Sequence, residues 1–270
     1  MLSPIRSAAL VAVFSVASLA AQQPQGSTST PAAGGSRPVL TEADFARIET
    51  LGAIALSPDG KWVAYDFRRG VSGPTELRYR PVAGGAEASQ SLGNTPVFSA
   101  TSRWLLFTVT PDTTGGRGGG GAVGRRGAST ERARNKVGIV DLASGTTTLL
   151  PDVQSFALSN DGSHVALRRY PATDAKSRGA DLIVRDLEQG TDVSFGNVAD
   201  FAWSDDGALL AMVVDVDGKT GNGLQLLNVA TGALRALDTG DHLYAFVAWR
   251  KHGDDLAVLR SRADSAFADT

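Results

Sequence analysis

Five groups of residues in the chain are of the types that could do chemistry. The first is the tract Gly115-Gly-Arg-Gly-Gly-Gly-Gly-Ala-Val-Gly-Arg-Arg-Gly127. A phosphate-cradling loop needs a Lys-Ser/Thr pair after the last glycine and a helix that presents its N-terminus to the anion. Arg125-Arg126-Gly127 follows instead, with no amphipathic helical run behind it. The second group, Asp215-Val-Asp217-Gly218 with Asn222, superficially resembles a calcium loop. Its ligand ladder is incomplete, because no bidentate Glu stands at the closing position. The third group comprises Ser57, Ser159 and Ser204, each in a Ser-x-Asp-Gly context. A hydrolase nucleophile elbow requires Gly-x-Ser-x-Gly on a strand-to-helix turn, and none occurs.

The remaining groups are the histidines and the paired carboxylates. His164, His242 and His252 form no His-x-x-x-His or similar ligand pair. Asp205-Asp206 and Asp254-Asp255 sit where a chain reversal is expected, a context that favours acidic residues in any case. From residue types and spacing we therefore assign no catalytic, cofactor-binding or metal-binding residue. No cofactor is expected.

The elements that would position these residues follow from a repeat. Ile54-Ala-Leu-Ser-Pro-Asp-Gly-Lys-Trp-Val-Ala-Tyr65 is its first copy. Pro96-Val-Phe-Ser-Ala-Thr-Ser-Arg-Trp-Leu-Leu-Phe107 is a second, without the Asp-Gly. Phe156-Ala-Leu-Ser-Asn-Asp-Gly-Ser-His-Val-Ala-Leu167 and Phe201-Ala-Trp-Ser-Asp-Asp-Gly-Ala-Leu-Leu-Ala-Met212 are close copies, and 246–258 is a degenerate fifth. Ser57, Ser99, Ser159, Ser204 and Arg250 share one position, at steps of 42, 60, 45 and 46 residues. Each copy reads as a strand, a turn in which Gly takes a positive φ and Asp bonds its own backbone, and a second strand. Between copies lies a second strand pair, with turns at Gly84-Gly85, Gly145, Gly190 and Gly232. Four strands per 42–46 residues is the period of a β-propeller blade.

The fold class is therefore all-β: about four complete blades and part of a fifth, over residues 40–270. The 60-residue step is explained by an insertion between the second and third strands of blade two, at 111–135. Thr41 with Asp44 suggests a capped helix before the first blade, continued by Phe45, Ile48 and Leu51 at helical spacing. Residues 22–39, rich in Gln, Pro, Ser, Thr, Gly and Ala, read as a linker. Arg6 followed by an apolar run over 8–20 and small residues at Ala20 and Ala21 reads as an export signal over 1–21. The expected location is periplasmic or extracellular. The 270 residues carry a net charge of −2 and 7% aromatics, which gives no case for nucleic acid or an anionic membrane as partner. Cysteine is absent, so packing and not disulfides must hold the fold.

The stretch Ser57-Pro-Asp-Gly-Lys-Trp-Val-Ala-Tyr65 resembles the propeller repeat of TolB and the prolyl oligopeptidase family. Asp44-Phe-Ala-Arg-Ile-Glu-Thr-Leu-Gly52, Gly179-Ala-Asp-Leu-Ile-Val-Arg-Asp-Leu187 and the segment 195–207 are similar to exported bacterial serine peptidases of that family, near its dipeptidyl and acylaminoacyl peptidase branches. The resemblance spans residues 40–262. It implies a propeller that filters peptide substrates for a C-terminal α/β-hydrolase domain carrying Ser, Asp and His, which these residues do not include. Two other readings stay open: a TolB-like module that binds protein partners, and a propeller glycosidase with acids at the axial mouth.

Overall fold

The computed structural model describes residues 40–71, 73–112 and 133–261. The expected export signal, the expected linker and the core of the glycine-rich insertion lie outside the described residues. Helix α1 is a single turn, Glu42–Phe45. Thr41 donates its backbone N–H and its hydroxyl to Asp44 Oδ2, at 2.9 and 2.8 Å. The expected continuation through Ile48 and Leu51 does not occur. One helical turn has too few hydrogen bonds to propagate unaided. The Gly70 N–H instead bonds the Ile48 carbonyl at 2.7 Å, and strand β1 (Glu49–Leu56) begins at once, pairing with β2 (Trp62–Arg69).

Blade 1 is the antiparallel meander β1, β2, β3 (Thr75–Pro81) and β4 (Ala88–Ser91). Blade 2 repeats it with β5 (Gly93–Phe98), β6 (Trp104–Val109), β7 (Lys136–Asp141) and β8 (Thr146–Leu150). Strands β6 and β7 pair along their whole length, so the insertion leaves and rejoins blade 2 where the repeat spacing places it. Blade 3 comprises β9 (Val153–Leu158), β10 (His164–Arg169), β11 (Ala180–Asp186) and the first half of β12 (Asp192–Trp203). The second half of β12 opens blade 4, which continues with β13 (Leu209–Val214), β14 (Asn222–Asn228) and β15 (Leu234–Gly240). Blades 3 and 4 thus share one seven-stranded sheet, a continuity that the repeat did not reveal. β12 bulges near Gly196 and Asn197 (φ 58°) without breaking, because β11 holds its first half and β13 its second. Blade 5 shows two strands among the described residues, β16 (Leu243–Trp249) and β17 (Leu256–Ser261).

Successive side chains of a strand point to opposite faces, so each blade meets one neighbour with its odd positions and the other with its even ones. On β6, Leu105 and Phe107 pack against blade 1 while Leu106 packs against blade 3. On β13, Leu210 and Met212 face blade 3 while Ala211 and Val213 face blade 5. We call the face toward the preceding blade the back and the other the front. The back is bulky: Phe156, Leu158, Val165 and Leu167 in blade 3, with Phe201, Trp203, Leu210 and Met212 at the same positions in blade 4. The front is built on small residues, such as Ala157 and Ala166 in blade 3 and Ala202 and Ala211 in blade 4. Large-on-small packing brings Trp203 Nε1 within 3.1 Å of the Ala157 carbonyl and Trp249 Nε1 within 3.0 Å of the Ala202 carbonyl. Burying each large side chain stabilises by roughly 1.5–3 kcal/mol.

Candidate functional site

The two ends of the blades carry different chemistry. One end holds the turns between first and second strands. Ser57, Ser99, Ser159 and Ser204 are all buried there. Ser57 Oγ donates to Asp59 Oδ1 at 2.7 Å and accepts the Trp62 N–H at 2.9 Å. Ser204 does the same with Asp206 (2.6 Å) and Leu209 (2.9 Å). Ser159 pairs with Asp161 and the His164 N–H, and in blade 2 Thr101 stands in for the aspartate. Each hydroxyl is thus consumed in closing its own hairpin, which explains why the serine recurs once per blade. The Ser57 hydroxyl, with the Lys61 N–H, holds Asp59 down at about 2. Burial pushes Asp161 up, but its bonds from Ser159 and Ser163 outweigh that and leave it below the usual carboxylate range.

These turns also join the blades. The Asp59 N–H bonds Ser102 Oγ at 3.0 Å, Asn160 Nδ2 bonds the Ser204 carbonyl at 2.9 Å, and the His252 N–H bonds Asp205 Oδ2 at 3.0 Å. Gly207 (φ 77°) approaches the preceding turn so closely that a Cβ would lie 2.7 Å from Asp161 Oδ1. Only glycine satisfies both demands.

Sequence reasoning missed a serine–histidine contact at this end. Ser163 Oγ lies 2.7 Å from His164 Nδ1, and His164 Nε2 lies 3.9 Å from Asp186 Oδ2, beside a groove of about 400 Å³ between blades 3 and 4. Adjacent residues leave no spacing signal, which is why it was not legible. It does not make a hydrolytic triad. Ser163 Oγ is also 2.6 Å from Asp161 Oδ2, its own N–H is spent on Asp161 Oδ1, and the His–Asp separation exceeds hydrogen-bond reach.

The opposite end carries the loops between second and third strands, and here the candidate site lies, over blades 3 to 5. Arg178 is its centre. Its N–H bonds Asp215 Oδ2 at 3.0 Å, its Nε stands 3.6 Å from the same oxygen, and its Nη2 donates to the Tyr244 carbonyl at 3.0 Å. One residue therefore ties blade 3 to blades 4 and 5. Buried Asn222 fixes the aspartate, donating to Asp215 Oδ1 (3.1 Å) and the His242 carbonyl (3.0 Å) and accepting the Val216 N–H (2.8 Å). Asp215 and Asn222 of the calcium-like motif are thus committed to holding loops. No group of three or more metal-ligating side chains occurs among the described residues.

A cleft of about 490 Å³ opens over this network, lined by Lys176, Arg178, Asp217, Lys219 and Leu243. A second of about 330 Å³ lies beside it, lined by Tyr170, Asp174, Asp181 and Asn197 among others. Behind them Arg168 donates Nη2 to the Arg178 carbonyl at 2.7 Å and Nε to the Val198 carbonyl at 3.3 Å. Burial lowers its pKa, which Asp200 opposes. The clefts offer charges of both signs, a surface suited to polar, peptide-like groups. The sequence singled out Asp215, Asp217 and Asn222 here, but not Arg178 or Lys219. His242 supplies a carbonyl to this end, while His164 and His252 lie at the other.

No protein-family profile matches the chain. No curated protein matches it either. Among solved structures it is similar to the β-propeller domain of the Trilobed protease from Pyrococcus furiosus, at 10% identity and a TM-score of 0.45, over 72% of this chain and 58% of that one. It is similar to a prolyl endopeptidase (15%, TM-score 0.47, 74% of this chain and 30% of that). It is also similar to an acylaminoacyl peptidase studied with a chloromethyl ketone (11%, TM-score 0.45, 76% and 35%). The chain spans a little over half of the first and about a third of the other two.

Proposed function

We propose that the chain is the propeller segment of an exported serine peptidase of the prolyl oligopeptidase type, and that it governs which peptides reach a hydrolase domain in the same protein. The observation that carries this reading is the run of Ser-x-Asp-Gly blades entered through Asp44–Gly52, with the helix turn passing directly into the first strand. Arg6 and the apolar run over 8–20 support export. The clefts over blades 3 to 5 supply the polar surface that a peptide filter needs.

The test is to isolate the native protein from its source with an antibody raised against 41–261. Its mass, its N-terminus and its reactivity with a fluorophosphonate probe are then determined. The expected protein is longer than 270 residues, starts near residue 21 or 22, and labels on one serine outside this segment. The segment alone does not label. A native species of this length that fails to label and co-purifies with another protein would sink the peptidase reading in favour of a binding module.

A further inference from the structure

The clefts between blades are of two kinds. At the turn end they recur. Asp141, Thr146 and Gly190 line the groove between blades 2 and 3, and Asp186, Thr191 and Gly232 line that between blades 3 and 4 at the same repeat positions. A groove that returns from one interface to the next follows from the repeat, as the turn serines do. The cleft of about 490 Å³ at the loop end is different. It is built mainly from the loops 170–179 and 215–221, which lie between second and third strands and outside the repeat.

Charge in these loops is sorted by sign. Lys176, Arg178 and Lys219 line the cleft together with the carboxylates of Asp215 and Asp217. Arg178 and Asp215 satisfy each other, which leaves two ammonium groups against Asp217. Neither ammonium has an ion-pair or hydrogen-bond partner among the described residues. The neighbouring cleft shares Ser177 and Asp217, and is lined also by Asp174 and Asp181 but by no Lys or Arg. An anion is therefore drawn to the first cleft and turned away from the second.

The cationic cleft is also held in shape. The Arg178 guanidinium is anchored at Asp215 and at the Tyr244 carbonyl, which leaves its Nη1 free to donate. Half-buried Lys219 takes φ 61°, a left-handed conformation that a long side chain adopts only at a cost. Its carbonyl accepts the Asn222 N–H at 3.2 Å, and buried Asn222 is locked in turn to Asp215 and the His242 carbonyl. Val216 and Leu243 supply the apolar part of the lining.

We infer that this cleft binds a peptide carboxylate with an aliphatic side chain next to it, the carboxylate being either a chain terminus or an acidic side chain. The inference rests on the reading of the propeller as a peptide filter, and gives that filter a preference of charge. Arg178 Nη1 and the two ammonium groups supply charge-assisted hydrogen bonds to the carboxylate, while Val216 and Leu243 meet the aliphatic neighbour.

The test is calorimetric titration of the full chain with four acetylated peptides. Two are a tripeptide ending in leucine, as free acid and as amide. The others are leucine amides preceded by glutamate or by glutamine. If the terminus is the source, the free acid should bind about tenfold tighter than its amide; if the side chain is, the glutamate peptide should exceed the glutamine one by as much. Either preference should shrink as salt is raised. It should vanish in Lys176→Gln with Lys219→Gln and persist in Lys176→Arg with Lys219→Arg, with circular dichroism confirming that both variants are folded. A preference that survives the glutamine variant, or inorganic phosphate that binds more tightly than the acids, would overturn the inference. Acids that bind no better than their neutral counterparts would overturn it and leave the peptide filter standing; no binding of any of the four would overturn both. The measurement needs no hydrolase domain, so a native protein that fails to label with fluorophosphonate would sink the peptidase reading without altering this result.

Discussion

Strands β13 and β17 are the same strand of successive blades, with the sequences Leu-Leu-Ala-Met-Val-Val and Leu-Ala-Val-Leu-Arg-Ser. Nearly all of β13 is buried, and most of β17 is exposed. Apolar content does not account for this. β13 lies between blade 3 and blade 5, with two covered faces, whereas among the described residues β17 meets only blade 4. A blade's sequence specifies its hairpins, but its neighbours decide whether its side chains are buried. The strength of any position should therefore follow the number of covered faces more closely than residue type.

The strongest challenge to that comparison is a pair of truncations under dilute, monomeric conditions. Met212→Ala, fully buried on the back of blade 4, should destabilise by about 2–5 kcal/mol in urea unfolding. Leu259→Ala, on the open front of blade 5, should stay within about 0.5 kcal/mol of the unaltered chain. Equal losses would mean that blade 5 is covered in solution.

Next in size come the turn serines. Ser204→Ala leaves the half-buried Leu209 N–H without its acceptor and frees Asp206, and should cost about 1–3 kcal/mol. At the same position in blade 5, Arg250 makes only an exposed pair with Asp255. Arg250→Ala should change stability by less than about 1 kcal/mol. A serine variant as mild as the arginine one would show that the hydroxyl does not close the hairpin.

The smallest effect sharpens the comparison by pH. Asp59 has a native pKa of about 2 against an ordinary 3.8, with Asp161 and Asp206 also lowered. A depressed native pKa contributes stability that is present above 3.8 and is lost as pH falls through about 2. Carbon-detected titration should place Asp59 near 2 and return it toward 3.8 in Ser57→Ala. The hairpin of blade 2, where Thr101 replaces the aspartate, should be insensitive over the same window. An Asp59 midpoint unchanged by Ser57→Ala would remove the hydroxyl as its cause.

Much of this was legible in the residues. Asp-Gly turns mark three of the five hairpins between first and second strands, and the alternation of branched and small residues foreshadows the two-sided blades. The small residues at Ala64, Ala166, Ala211 and Ala257 already mark the fronts of blades 1, 3, 4 and 5, whereas blade 2 has Leu106 there. Three features were not legible, for distinct reasons. The continuity of β12 depends on both halves finding a partner across the Gly196–Asn197 bulge, which no local pattern reports. The helix through Ile48 and Leu51 had the right spacing, but pairing with β2 outweighs it. Arg178 becomes the keystone of the loop end only because three blades converge on it, and its sequence neighbourhood resembles any polar loop.

The corners between successive blades have a mechanical consequence. Between blades 1 and 2 the chain turns sharply at Leu92, and between blades 2 and 3 at Asp152, each with positive φ. Such single-residue corners can absorb a rotation by small changes in two dihedrals. β12 carries the same corner at Asn197 (φ 58°), where its partner changes from β11 to β13. The continuity of that strand therefore does not lock blades 3 and 4 together. Breathing that widens or narrows a passage beside the blades can be shared among all three corners.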